Sequence, residues 1–331
     1  MTEINLQSVQ EAHKRIQKYI HCTPIFSSEL LNKWLNHKIF FKAECMQKVG
    51  AFKARGACNT IAYLVENNLT PKHIVANSSG NHAQAVAWAA SQFSIPATIY
   101  MPKTASTVKI QATKAYGAEV VLCDNRLIVD TLTEEHSQKE GVYWLHPYNH
   151  PQVIAGQGTA ALEALDELKN IDAVFAPCGG GGILSGTVIA SKGTNPKIKV
   201  IGTEPLKAND AANSLRKGSI QTLPKTPDSL ADGALTLSVG NITFEYLKKL
   251  DAFYEVEEEK MIYWTQWLTH LLKLRVEPTS AMVMDGVIQW LNEQNSPQKV
   301  LVILTGGNID QETTNKIWQK NVLDQPPMNW L

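Results

Sequence analysis

The chain predicts an α/β fold built as two parallel- or mixed-sheet lobes with helices on both faces. Three observations carry this. Between residues 73 and 139, short apolar runs alternate with stretches of helical periodicity. The alternation resumes between 151 and 204. The run KVLVILT at 299–305 is continuously apolar, as strands covered by helices on both faces are in parallel sheets.

The elements follow in order. Leu6, Val9, Ala12, His13, Ile16 and Ile20 recur at helical spacing, so the spacing predicts an amphipathic helix over 6–20. KIFFKAE (38–44) reads as a strand, and a helical segment after Lys53 runs to about ENNL. Strands are predicted at 73–76, 97–101 and 119–123, each followed by a helix: 81–93, 106–117 and 126–139. Gly117 closes the second of these. A helix over 151–168 opens on Pro151, which suits a first turn. Strands at 172–177 and 199–204 flank a helix at 183–193. Helices at 258–273 and 278–292 precede the last strand, and Trp264, Trp267 and Leu271 read as a core stripe.

Composition narrows the class. The chain has 331 residues, 44% hydrophobic and 19% charged, enough for a large globular core. Lys+Arg and Asp+Glu both number 31, so no field of one sign favours nucleic acid or an anionic membrane. No apolar run reaches the length of a membrane span, and the N-terminus lacks a signal-peptide pattern. Five cysteines lie far apart without a CxxC, which suits reduced thiols in a cytoplasm. No GxSxG or HExxH is present, and His136, His146 and His150 lack partners at metal-ligand spacing.

Several loops carry candidate chemistry. In PCGGGGILSGT, Gly179, Gly180, Gly181 and Gly182 join a buried strand to a helix. Glycines let a ligand approach the amides closely, and a helix start favours phosphate. A tight turn alone does not need four of them. The loop is neither GxGxxG nor followed by GK[ST], which disfavours a dinucleotide or nucleoside triphosphate. In NSSGNHAQA, Ser78, Ser79, Gly80, Asn81 and His82 occupy a strand-to-helix turn, the end of an open sheet where ligands bind. One such residue would suffice for a helix cap. Glu277 begins an apolar helix, where it suits the helix dipole, and Thr305 ends the last strand in TGGN. Glu204 and Asp210, six apart at the end of a strand, suit either a hard cation or plain solvation. Lys53, among Ala51, Phe52, Ala54 and Gly56, is an isolated lysine in apolar company.

Together these segments resemble a family. The order is FKxRG, SSGNH, GGGG, EPxxAxD, EPTSA and TGGN, spread from about residue 5 to 315. It resembles the pyridoxal-phosphate-dependent serine/threonine dehydratase and serine racemase family, with the tryptophan synthase β-subunit-like fold (PLP fold type II). The resemblance implies a large cofactor-binding domain from 1–70 and 150–331, and a small mobile domain from 71–149. It implies that Lys53 forms the imine with pyridoxal 5'-phosphate, with Phe52 beside the ring. Ser78, Ser79, Gly80, Asn81 and His82 would receive the substrate carboxylate, and Asn81 would also bond the cofactor's ring oxygen. Ser79 stands where racemases keep a second acid/base group. Gly179 to Gly182 would hold the phosphate, with Glu277 and Thr305 also in the cofactor site and Thr305 facing the pyridine nitrogen. Glu204, Asp210 and the carbonyl of Ala208 match the family's Mg2+ or Ca2+ site.

Physical chemistry agrees. Pyridoxal phosphate is an electron sink tuned by protein groups. A neutral hydroxyl at Thr305 leaves the ring nitrogen unprotonated, which favours prompt loss of a β-hydroxyl over slower side reactions. Lys53, released as an amine of lowered pKa, would take the Cα proton. The departures are Ala51 where Ser is usual, Ala83 where racemases often have Gly, and Thr305 where Ser or Cys is common. The chain ends soon after TGGN, so feedback control through a C-terminal effector domain is not expected.

The reading is therefore a lyase (an ammonia-lyase) acting on L-serine, L-threonine or a related 3-hydroxy amino acid. Serine racemisation and threo-3-hydroxyaspartate dehydration stand as alternatives. The second would need a basic contact, for which Arg126 is a candidate. A cytoplasmic homodimer with a small amino-acid substrate is expected.

Overall fold

The structure is a computed structural model that describes residues 3–78 and 80–327, the Arg126 side chain excepted. Its strands, in chain order, are β1 (Ile25–Ser27), β2 (Lys38–Ala43), β3 (His73–Asn77), β4 (Ala97–Pro102) and β5 (Glu119–Cys123), then β6 (Val142–Trp144), β7 (Ala173–Pro177), β8 (Lys199–Pro205), β9 (Ala252–Val256) and β10 (Lys299–Leu304). They form two sheets. A six-stranded sheet has the order β1-β2-β10-β7-β8-β9, and a four-stranded sheet the order β5-β4-β3-β6. Every pairing is parallel except that of β1 with β2.

The apolar runs explain the layering. Val300, Leu301, Val302, Ile303 and Leu304 are all buried, because β10 sits mid-sheet with helices over both faces. One face carries the helices Glu258–Leu272 and Val283–Leu291, where Trp264 and Trp267 pack with Phe41, Phe175 and Leu35. The other face carries Pro151–Glu167 and Gly182–Thr194. The small sheet is covered by Asn81–Gln92, whose alanines pack with Ile74 and Ile99.

Two helical expectations are corrected. The first helix spans Leu6–Ile16, ending short of residue 20; a turn then brings Ile20 back to the core. The stretch 278–292 is two helices, Pro278–Ala281 and Val283–Leu291, because the bonds tighten to i→i−3 at Ser280 and Asp285. Seven short elements were not legible in the sequence: β1, β6, β9, and the helices Glu29–Leu35, Asp210–Lys217, Asn241–Leu247 and Gln311–Trp318. None is longer than eight residues, too short for a periodic signal. No helix among the described residues is long and apolar enough to cross a membrane.

Candidate active site

The topology brings the motifs to one place, at the carboxyl ends of β3, β7 and β10. Lys53 is the first residue of the helix Lys53–Glu66, directly after Phe52. Phe52 is buried, and its N–H donates to the Thr305 carbonyl at 2.9 Å. A bridge between Ala51 and Gly306 adds a second tie. So the lysine loop is stitched to the end of β10, although some 250 residues separate them.

Lys53 is half-buried, yet desolvation lowers its pKa to about 8, against the opposing pull of Glu277. Its Nζ donates to the Pro147 carbonyl at 2.7 Å and lies 5.1 Å from the centre of the Phe52 ring. An amine with this pKa is partly free base near neutrality, which both a nucleophile and a general base require.

Asn81 opens its helix behind Gly80, with no side-chain cap. Its Nδ2 donates to both Glu277 oxygens at 3.1 and 3.2 Å, and its Oδ1 accepts from Asn308 Nδ2 at 2.8 Å. Glu277 is buried, and burial pushes its carboxyl well above the usual range. The loop therefore lies against the EPTSA segment, as a shared site requires. The Gly80 N–H donates to Ser78 Oγ at 3.2 Å. His82 Nε2 meets the Leu145 carbonyl at 2.8 Å; a carbonyl only accepts, so Nε2 carries the proton. Burial holds this imidazole neutral, with a pKa of about 3. Ser79 lies outside the described residues, as does the Arg126 side chain.

The glycine loop runs from β7 into the helix Gly182–Thr194. Gly181 has φ +88°, a left-handed conformation that a side chain rarely adopts, and it offers the helix no side-chain cap. At Gly180 a Cβ would lie 2.3 Å from the Tyr148 ring, so the residue is glycine because that ring covers it. Buried amides at an uncapped helix start need an acceptor, and an anion supplies one.

Thr305 is buried, with its hydroxyl 2.9 Å from Ser280 Oγ. Glu204, Asp210 and Ala208 are also buried, at the end of β8. Glu204 accepts from the Ala211 and Ala212 N–H groups at 3.2 and 2.6 Å. Neither Asp210 carboxylate oxygen has a hydrogen-bond partner of ordinary geometry. Burial pushes Glu204 up to about 9 and Asp210 up to about 7. Among the described residues no group of three or more His, Cys, Asp or Glu is placed to hold a metal. Further ligands to this pair would be carbonyls or water.

Two features were missed. Pro147 and Tyr148 link the lysine to the glycine loop, but they contribute a carbonyl and a ring face, which leave no motif. Lys109, from the helix Thr107–Ala115, forms an ion pair with Asp232. That pair joins the helix layer of the small sheet to the Asp232–Ala234 turn. The turn packs on Gly179, and its Gly233 N–H donates to Thr279 Oγ1 at 3.1 Å. Only folding places these two residues together.

Comparison with known proteins gives a consistent set of relatives. A protein family described as pyridoxal-phosphate dependent enzymes matches residues 16–306. A serine racemase of Dictyostelium discoideum is 40% identical over 325 residues, covering 96% of this chain and 98% of that protein. An L-threo-3-hydroxyaspartate ammonia-lyase of Saccharomyces cerevisiae is 40% identical over 310 residues, 92% of this chain and 93% of its own. Among solved structures, the processed form of threonine deaminase isoform 2 from Solanum lycopersicum superposes with a TM-score of 0.89 at 30% identity, covering 95% of this chain and 92% of its own.

Proposed function

Because the chain belongs to the pyridoxal-phosphate dependent enzyme family, we propose that it is a dehydratase that removes the β-hydroxyl of L-serine, L-threonine or a related 3-hydroxy amino acid. The products are a 2-oxo acid and ammonia. The observation that carries the reading is Lys53, a desolvated amine held by the Pro147 carbonyl next to the Tyr148 ring that covers Gly180. The residues present fit the cofactor. The lysine is half-buried and desolvated, and the helix after the glycine loop starts uncapped, which suits a phosphate.

Bound pyridoxal phosphate supplies an electron sink for the pair left when a proton leaves Cα. The rest falls to this chain's own residues. Lys53 would be the attachment point and, as free amine, the base at Cα. Gly179 to Gly182 would hold the phosphate, and Phe52, Asn81, Glu277 and Thr305 would bind the rest of the cofactor. The uncapped start of the Asn81–Gln92 helix, with Ser78, Ser79, Gly80 and His82, takes the substrate carboxylate. The test is release of 2-oxo acid and ammonia by purified protein with cofactor from a panel of 3-hydroxy amino acids. No release from any of them sinks the reading. Racemisation of serine is the second reading, supported by the identity to serine racemases. Chiral analysis of the residual serine reads it, and Ser79→Ala should abolish it first.

We assign Mg2+ or Ca2+ to Glu204, Asp210 and the Ala208 carbonyl. Support comes from two buried carboxyls, one of them with no partner of ordinary geometry on either oxygen. A hard cation satisfies such oxygens. Both folded-state pKa values are raised, to about 9 and about 7, so the metal-free native chain holds protons that the unfolded chain has released. Stability of chelated protein should therefore fall as pH rises from about 4 towards 9, and either cation should restore it above neutrality. Thermal melting with a chelator and then with each cation reads this. A pH-independent melt that neither cation moves would contradict the assignment.

We further propose that 71–149 moves as a small domain against 1–70 and 150–331, with Lys109–Asp232 as the contact that closes it. Lys109→Asp and Asp232→Lys should each raise KM about tenfold, the size of a partly buried ion pair, and the double swap should recover most of it. Failure of the swap to recover either single variant argues against a latch. A cytoplasmic homodimer remains the expectation; the five free cysteines suit a reducing compartment, and sedimentation reads the assembly.

A further inference from the structure

We propose that Ser280 is a positioning residue that makes the Thr305 hydroxyl a directed donor toward the cofactor's ring nitrogen. The proposal rests on the reading that Thr305 faces that nitrogen, and it adds a residue which that reading does not include.

Ser280 and Thr305 are both buried and come from different elements, the Pro278–Ala281 helix and the end of β10. Their oxygens lie 2.9 Å apart. The Gly306 N–H donates to Ser280 Oγ at 2.9 Å, which occupies one lone pair. Ser280 then has one proton and two acceptors in reach: Thr305 Oγ1 at 2.9 Å and the Gly306 carbonyl at 3.1 Å. That carbonyl already accepts the Glu277 N–H at 3.0 Å. The carbonyl keeps a second lone pair, so the direction follows from Thr305: if its one proton goes to the ring nitrogen, the 2.9 Å contact can only be Ser280 donating to Thr305 Oγ1. Among the described residues no other partner of the Thr305 hydroxyl is present. Its backbone cannot drift, because the Phe52 N–H holds its carbonyl.

The result is a chain of donors, from the Gly306 N–H through Ser280 to Thr305, all pointing one way. Each donation polarises the next, so the terminal hydroxyl is a better donor than a lone threonine. A neutral pyridine nitrogen accepts such a proton; a protonated one would meet it head-on. Ser280 thus helps hold the ring nitrogen unprotonated by acting through Thr305.

The test is nitrogen NMR of the holoenzyme loaded with pyridoxal phosphate labelled with 15N in the ring. The native signal is expected at the position of an unprotonated, hydrogen-bonded nitrogen. Ser280→Ala should move it toward protonation, raising the nitrogen's apparent basicity by up to about tenfold, the worth of one hydrogen bond. Thr305→Val should move it at least as far, and Ser280→Ala added to Thr305→Val should move it no further. An unchanged signal in Ser280→Ala, or an additive shift in the double variant, overturns the proposal. Should Ser280→Ala fail to fold, Ser280→Cys keeps the volume with a weak S–H donor and is expected to shift the signal in the same direction. Failure of the native protein to take up the labelled cofactor, or a native ring without a donor, would instead remove the reading of Thr305.

Discussion

Lys53→Ala should lower 2-oxo acid release at least about 10³-fold and abolish covalent attachment of the cofactor, seen as loss of its visible absorbance band. The fold should survive. Among the described residues Lys53 makes one hydrogen bond, to the Pro147 carbonyl, and its amine is desolvated. Its pH signature has a definite sign. The folded pKa lies at about 8, below the ordinary 10.5, so in cofactor-free protein the unfolded chain binds the extra proton between these values. Native stability should rise with pH across that window, and the rise should vanish in Lys53→Ala. Chemical denaturation at two pH values bracketing the window measures it. Retained turnover in Lys53→Ala would place the chemistry elsewhere.

Arg55→Leu should cost about 3–5 kcal/mol of stability, for a different reason. Arg55 is the arginine of FKxRG and is fully buried. It bonds Glu44 at 2.6 and 2.8 Å and Glu163 at 2.7 and 2.8 Å. Lys42 completes the cluster, with 2.7 Å bonds to Glu163 and to the Thr23 carbonyl. Removing the guanidinium leaves buried Glu163 with the Lys42 ammonium and buried Glu44 with only the Thr23 hydroxyl among the side chains bonded to it. The cost should shrink in acid. The pair with Arg55 and Lys42 holds Glu163 below the usual carboxyl range, so native Glu163 keeps its charge as pH falls. Without Arg55 the buried Glu163 loses the partner that offsets its desolvation, which penalises the variant most at neutral pH. Urea titrations of both proteins at neutral and acid pH test this. A loss below about 1 kcal/mol at neutral pH would show that the cluster relaxes without it.

The cluster also shows where sequence reading ran out. Lys42, Glu44 and Arg55 lie close in the chain, but Glu163 enters from a helix more than a hundred residues away. Nothing in the local pattern around Glu163 marks it. Tyr148 is similar: its role is to present a ring face to Gly180, which an aromatic residue in a loop does not announce. By contrast, the glycine loop and the SSGNH segment stood out as unusual residues between an apolar run and a helical pattern, and Lys53 as a lone lysine in apolar company.

What the sequence determined by itself is the class of fold, most of the long helices and strands, and one isolated lysine in apolar company as the candidate for the reactive amine. Hydrophobic periodicity and residue type are local properties, and a buried strand or an isolated lysine carries them wherever it lies. What only the tertiary structure decided is how these parts meet. It alone set Asn81 against Glu277, the Pro147 carbonyl on Lys53, Lys109 opposite Asp232, and Ser280 behind Thr305. Those contacts join residues 94 to 196 positions apart, or 25 in the last case. Their strength depends on distance, burial and proton direction, which exist only once the chain has closed on itself.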